Sequence, residues 1–152
     1  MKQNSGRFLT GFTLLELMIV ITIIALILGI ALPRFRGIQD QGKIAKAKGE
    51  LRTLQTAVES YYIHNSNTYP ANLTALNTAT PSIVTSTPDD PFAAVGTPYQ
   101  YTRGGTNNKF YIIYSIGPDG NGSAAISGTN TVTETNGSSC IYVSNMGSDP
   151  QP

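Results

Sequence analysis

Residues 12–32 of this chain form an apolar run of 21 positions, interrupted only by Thr13, Glu16, Thr22 and Gly29. A helix of that length rises about 30 Å, the thickness of a bilayer's hydrocarbon core. No strand of a water-soluble sheet sustains so long an apolar run. The segment therefore reads as a membrane-spanning helix. A cleaved secretory signal is the competing reading. Its apolar region would be shorter, and Gly29-Ile30-Ala31 is a poor small-x-small site with Pro33 close behind.

Composition misleads until the charges are placed. The 152 residues carry 10 Lys+Arg against 9 Asp+Glu, a formal net charge of +1. Residues 1–11 hold Lys2 and Arg7 and no acid. Residues 12–52 hold Arg34, Arg36, Lys43, Lys46, Lys48 and Arg52 against Glu16, Asp40 and Glu50. Residues 53–152 hold Arg103 and Lys109 against six acids. A basic front end is thus joined to an acidic body. Near-zero net charge argues against nucleic acid as a partner, which selects strongly basic domains. A single Cys excludes an intrachain disulfide and a cysteine-built zinc site, and a single His leaves little for a catalytic triad.

Glu16 is the one acid inside the apolar run. A carboxylate there costs about 2.5–3.5 kcal/mol at a helix centre and less near the interface. Such an acid is a functional candidate whose natural partner is a cation. The plainer reading is that Glu16 lies near the helix end and reaches the interface or is protonated. Position alone leaves both open.

Lys2 and Arg7, followed by Gly11-Phe12-Thr13-Leu14-Leu15-Glu16, resemble the class III signal of type IV pilins and type II secretion pseudopilins. The resemblance implies a leader, residues 1–11, cut between Gly11 and Phe12 by a prepilin peptidase that then methylates the Phe12 amine. It implies an assembly role for Phe12 and Glu16, the fifth residue counted from Phe12, and a helix kink at Pro33, the twenty-second. It also implies a single-pass protein of the bacterial inner membrane with its head in the periplasm, and a periplasmic or extracellular filament after assembly. The implied partners are further copies in a homo-oligomeric filament, the peptidase, an inner-membrane assembly platform, and minor pilins or pseudopilins. Counting basic residues gives the opposite orientation, since two precede the span and five or six follow it. The motif is the more specific signal and its orientation is adopted.

The chemistry agrees with that carry-over. Cleavage before Phe12 creates a charged amine near Glu16. In staggered, stacked helices the Glu16 of one copy can meet the Phe12 amine of a neighbour, so that two expensive charges neutralise each other in an apolar core. Register is then set by charge, and the Ile, Leu and Val surface supplies the association.

Pro33, Gly37 and Gly42 predict a bend or melted stretch around 33–42. Beyond it, Ile44, Ala47, Leu51, Leu54, Val58 and Tyr61 recur at alternating steps of three and four, one stripe of an amphipathic helix packed on its own domain core. Lys43, Lys46, Lys48, Glu50, Arg52 and Glu59 fall on the other faces. Asn65-Ser66-Asn67 ends the helix before Tyr69-Pro70. Leu73 and Leu76 mark a short helical turn. Tyr99-Gln100-Tyr101, a turn through Gly104–Asn108, and a strand from Phe110 to Ile116 form an antiparallel hairpin, with a further strand at Ser139–Val143. The fold class is α+β, a long N-terminal helix on a small antiparallel sheet, as in type IV pilins. The plan is a leader (1–11), a transmembrane and filament-core helix (12–32), its amphipathic continuation (33–65), and a β-rich head with a polar C-terminal extension (66–152).

Asp90-Pro91-Phe92, Gly96-Thr97-Pro98-Tyr99-Gln100-Tyr101 and Tyr114-Ser115-Ile116-Gly117-Pro118-Asp119-Gly120 resemble phrases of the G-type major pseudopilin. Phe92 stands where that family has Trp, and Ala93, Ala94 and Val95 intervene before Gly96. In that family the Asp matching Asp119 helps bind calcium, together with two carboxylates a few residues on. Here those places hold Ile126 and Ser127, so a Gly-rich turn is the preferred reading and calcium the alternative. The stretch 123–152 is rich in Ser, Thr, Asn and Gly, longer than the family pattern, and reads as decoration or a loop around one added strand. Asn72, Asn121 and Asn136 each begin a glycosylation tripeptide.

The remaining chemistry is structural on this reading. Asp89-Asp90 shapes a turn beside Pro91, His64 caps the helix end, and Cys140 is a small core residue. No phosphate-binding loop or catalytic cluster is present, so the expectation is a non-enzyme without cofactor. Two functions follow from the resemblance: the major pseudopilin of a type II protein secretion system, or the pilin of an extracellular pilus for adhesion, motility or DNA uptake. A filament conducting electrons through aromatics is disfavoured, because Phe12, Phe35, Tyr61 and Tyr62 are sparse along the helix.

Overall fold

The computed structural model describes residues 11–128, 131–135 and 139–146, and of 32–36 the backbone only. Lys2 and Arg7 of the leader, the Asn136 tripeptide and Asp149 lie outside the described residues. The chain divides into two compact units, with the boundary between Gln39 and Asp40.

Helix α1 runs from Leu14 to His64, 51 residues without a break. The melted stretch expected at 33–42 is helical instead. Pro33 removes one donor and each glycine costs about 1 kcal/mol against alanine, and the apolar turns before it and the amphipathic turns after it propagate from both sides. In the first unit, Leu14–Ala31 has a mean hydropathy of 2.8 and none of it is buried. The large apolar side chains from Leu14 to Ile30 stand 43–77% exposed. An exposed surface of that character marks a membrane or protein contact.

The second unit carries the core. Ala47, Leu51, Leu54 and Val58 are buried along one side of α1, with Ile44 and Tyr61 half-buried against the same cluster. The stripe read from the sequence is therefore the packed face. Against it lies a three-stranded antiparallel sheet in the order β1 (Gln100–Gly104), β2 (Phe110–Ser115), β5 (Ile141–Ser144). Thr102 faces Ile112 and Ile113 faces Val143. Alternation along β2 sends Tyr111 and Ile113 into the helix-side core and Ile112 into a second cluster with Ala124, Cys140 and Tyr142.

That second cluster corrects the reading of the polar extension. Strands β3 (Ser123–Ile126) and β4 (Val132–Thr135) form an antiparallel hairpin, and Ala124, Ile126 and Val132 cover the face of the sheet turned away from α1. The signal was faint because Ala124 is small and the intervening positions include Ser123, Ala125, Thr133 and Thr135. The strand expected at Ser139–Val143 is shifted, and it pairs with β2. The link from α1 to β1 contains only the short helix α2 (Thr74–Thr78), set by buried Leu73 and Leu76.

Candidate assembly site

Gly11, Phe12 and Thr13 are non-helical and exposed. Thr13 begins α1 as its cap: the Glu16 amide donates to Thr13 Oγ1 at 3.2 Å, and the Leu17 amide donates to the Thr13 carbonyl at 3.2 Å. The Thr-x-x-Glu spacing is the sequence signature of a helix N-terminus, a signal the sequence reading passed over. Glu16 thus lies in the first turn, where the helix dipole favours a negative charge. Its side chain is exposed among apolar neighbours. Phe12 is 80% exposed, and among the described residues nothing approaches the position a Cβ on Gly11 would take.

One face of α1 next to this end is a shallow apolar concavity of 350 Å³, lined by Leu15, Met18, Ile19, Thr22 and Ile23. The spacing places all five on one side of the helix. Thr22 Oγ1 donates to the Met18 carbonyl at 2.7 Å, so its polar atom is satisfied within its own helix. The face is left able to take another apolar helix.

In the second unit, carboxylates of α1 are fastened to the head by tyrosine hydroxyls. Glu59 accepts from Tyr111 at 2.7 Å and from Tyr69 at 3.2 Å, and Glu50 accepts from Tyr99 at 2.7 Å. Glu50 and Glu59, on faces other than the stripe by sequence, border it, and their partners come from distant strands and loops. Burial, then the bond to the carboxylate, holds the Tyr99 and Tyr111 hydroxyls well above their ordinary value of 10.0. Arg103 donates to the Tyr69 carbonyl at 2.8 Å, and Asn145 bonds the Tyr69 hydroxyl and the Lys109 carbonyl. His64 Nδ1 donates to the Ser60 carbonyl at 2.8 Å, a helix-end role.

Asp90 does more than shape its own turn. It is 3% exposed and accepts from Ser115 Oγ at 2.7 Å, the Ile116 amide at 2.9 Å and the Phe92 amide at 3.0 Å. It therefore anchors the end of β2. Gly117 follows with φ +71°, and a Cβ there would lie 1.8 Å from the Ser139 carbonyl oxygen. Only glycine fits so close an approach.

The donor set around Asp119 does not suit calcium, which takes six to eight oxygens and usually several carboxylates. Asp119 is exposed, Ile126 is in β3 with its side chain in the second cluster, and Ser127 bonds Thr131 Oγ1. Among the described residues no three His, Cys, Asp or Glu converge.

A family model described as Type II secretion system (T2SS), protein G matches residues 34–132, and one described as Prokaryotic N-terminal methylation motif matches residues 10–32. The type II secretion system core protein G of Pseudomonas aeruginosa is 31% identical over 125 residues, covering 73% of this chain and 84% of that protein. The protein of the same name from Pectobacterium carotovorum is 32% identical over 131 residues, covering 77% and 81%. The type IV major pilin protein PilA of Myxococcus xanthus is 46% identical over 52 residues, 34% of this chain and 24% of that protein. That likeness is too short to span both α1 and the head. No solved structure matches the chain significantly.

Proposed function

The chain belongs to the type II secretion system protein G family, and from that premise we propose that it works as the repeating subunit, the major pseudopilin, of a secretion pseudopilus. The observation that carries this reading is an apolar helix left wholly unburied by its own chain, with one acid in its first turn. Such a helix is stable only in a membrane or against copies of itself.

The subunit is made with its leader on the cytoplasmic side, α1 in the inner membrane and the head in the periplasm. A prepilin peptidase cuts the Gly11–Phe12 bond and methylates the new amine. That amine sits at the positive end of the helix dipole, where a lone cation is unfavourable. The Glu16 carboxylate of a neighbouring subunit neutralises it as the assembly platform draws the subunit into the filament. The apolar faces of adjacent helices then cover one another, Pro33 supplies a bend in the filament core, and minor pseudopilins complete the assembly. Growth of the filament pushes folded proteins outward.

Expression with its own secretion machinery tests this. Filaments sheared from the cells are expected, and Glu16→Ala should leave membrane insertion intact while abolishing them. Normal filaments from Glu16→Ala, or a Phe12 amine that never becomes free, would overturn the proposal.

A further inference from the structure

Beyond Arg52 the sequence contains only two Lys or Arg residues, Arg103 and Lys109. Both line one cavity of 230 Å³ in the head, beside Tyr62, Tyr69, Asn107 and Asn108. Tyr62 stacks on Tyr69 with ring centroids 4.4 Å apart, which gives the cavity a rigid aromatic wall. Asn107 and Asn108 hold φ of +62° and +53°, a turn that carries the chain around the cavity between β1 and β2. Arg103 spends one donor on the Tyr69 carbonyl, leaving four of its five. Among the described residues neither cation has a carboxylate within ion-pair distance. A concave site with two cations and amide donors suits a carboxylate.

Among the described residues the carboxylates of Asp89, Glu134 and Asp119 meet no donor or cation, and of these Asp119 lies at the other end of the same strand. The carboxylates of Glu50, Glu59 and Asp90 are taken up by hydroxyls and amides. Asp119 is exposed in a tight turn between Gly117 and Gly120, both at positive φ, and only its carbonyl is hydrogen-bonded. Arg103, on β1 opposite Tyr111, and Lys109 flank the start of β2, and Asp119 follows its end, roughly 20 Å away along six residues. One chain cannot close that pair. Two chains can.

We propose that the Arg103–Lys109 cavity receives the Asp119 carboxylate of a second copy of this chain. The contact joins two different surfaces, so it is heterologous, and repetition of a heterologous contact builds an open helical filament. It would add a head-to-head lock to the helix packing. The inference rests on the filament reading above and adds to it a specific pair of surfaces.

Charge reversal tests it in the full-length chain expressed with its assembly machinery. Lys109 and Asp119 are both exposed, and Lys109 holds Asn145 through its carbonyl, so neither substitution disturbs the fold. Lys109→Glu or Asp119→Lys alone should reduce sheared filament about 10-fold, because like charges then meet. The double variant, which restores one opposite-charge pair while Arg103 stays cationic, should recover part of it. Single variants that assemble normally, or a double variant that stays defective, overturn the inference. A second measurement pairs Lys109→Cys with Asp119→Cys in a Cys140→Ala background. A ladder of disulfide-linked multimers is expected, and filaments that form without a ladder refute the contact while leaving the filament reading intact. Failure to make filaments in every background, the unaltered chain included, refutes both.

Discussion

The Tyr111 hydroxyl, on the central strand of the head, donates a 2.7 Å hydrogen bond to Glu59, near the C-terminal end of α1. Tyr111 is fully buried, and its ring packs on Tyr69, which shares the same carboxylate. A hydrogen bond to a charged group is worth about 1.5–3 kcal/mol, and an orphaned buried partner costs a similar amount. Tyr111→Phe should therefore destabilise the head by about 2 kcal/mol. Glu59→Leu, which strands two hydroxyls, should cost more than either tyrosine-to-phenylalanine change. Chemical denaturation of the detergent-solubilised chain, followed by circular dichroism, measures both. Equal stability of Glu59→Leu and the unaltered chain would remove Glu59 as the fastener.

Asp90 bears on calcium. Its carboxylate already fixes Ser115, Ile116 and Phe92, the elements that precede the Asp119 turn. The melting temperature is expected to be the same in calcium and in chelator. Asp90→Asn should lower it, since the amide end opposes a donor and leaves one buried group unpaired, a loss of about 1–3 kcal/mol. A thermal shift raised by calcium and absent in Asp119→Ala would reverse this expectation.

Much of this was legible before the structure. The stripe Ile44–Tyr61 and the strand Phe110–Ser115 announce themselves because large apolar residues recur at the period of their element. The N-terminal methylation motif is legible because its residues sit at fixed offsets. The β3–β4 hairpin is not, since its inward residues include a small alanine and its outward ones are Ser123, Ala125, Thr133 and Thr135. Partners such as Glu59 with Tyr111, or Asp90 with Ser115, are separated by 52 and 25 residues, and no local pattern encodes a contact of that range. The Thr13 cap was local and readable, but the apolar run drew attention from it.

The head should lose stability in alkali. Burial, helped by the nearby Glu134 and Asp90 charges, pushes the Cys140 thiol up from 9.0 to about 12. Burial likewise raises Tyr99, Tyr101 and Tyr111 above 10.0. For each group the folded state holds its proton longer than the unfolded state, so the stability it contributes is full below its unfolded value. For Cys140 that contribution is lost as pH climbs from 9 toward 12, and the tyrosines add their share above 10. The expected result is a melting temperature that is level near neutrality and falls steadily above pH 9, with Cys140 inert to alkylation until the head unfolds. Rapid alkylation of the folded chain at pH 9 would contradict the burial of the thiol.

Glu16→Gln separates charge from shape at the assembly end of α1. The amide keeps the length and volume of the side chain, and the Thr13 cap is untouched because it uses the Glu16 backbone. Insertion into the membrane should be unchanged or easier, since a neutral amide is cheaper than a carboxylate in hydrocarbon. On the proposed pairing, what is lost is the negative charge facing the neighbour's Phe12 amine, and an unpaired buried charge costs about 3–5 kcal/mol. Filament yield is therefore expected to fall at least ~10-fold while cleavage at Gly11 continues, since each ~1.4 kcal/mol is tenfold in an equilibrium. Immunoblotting of sheared and membrane fractions reads both quantities together. Full filament yield from Glu16→Gln would show that the side chain acts by packing or hydrogen bonding, and the charge-pairing account of register would have to be given up.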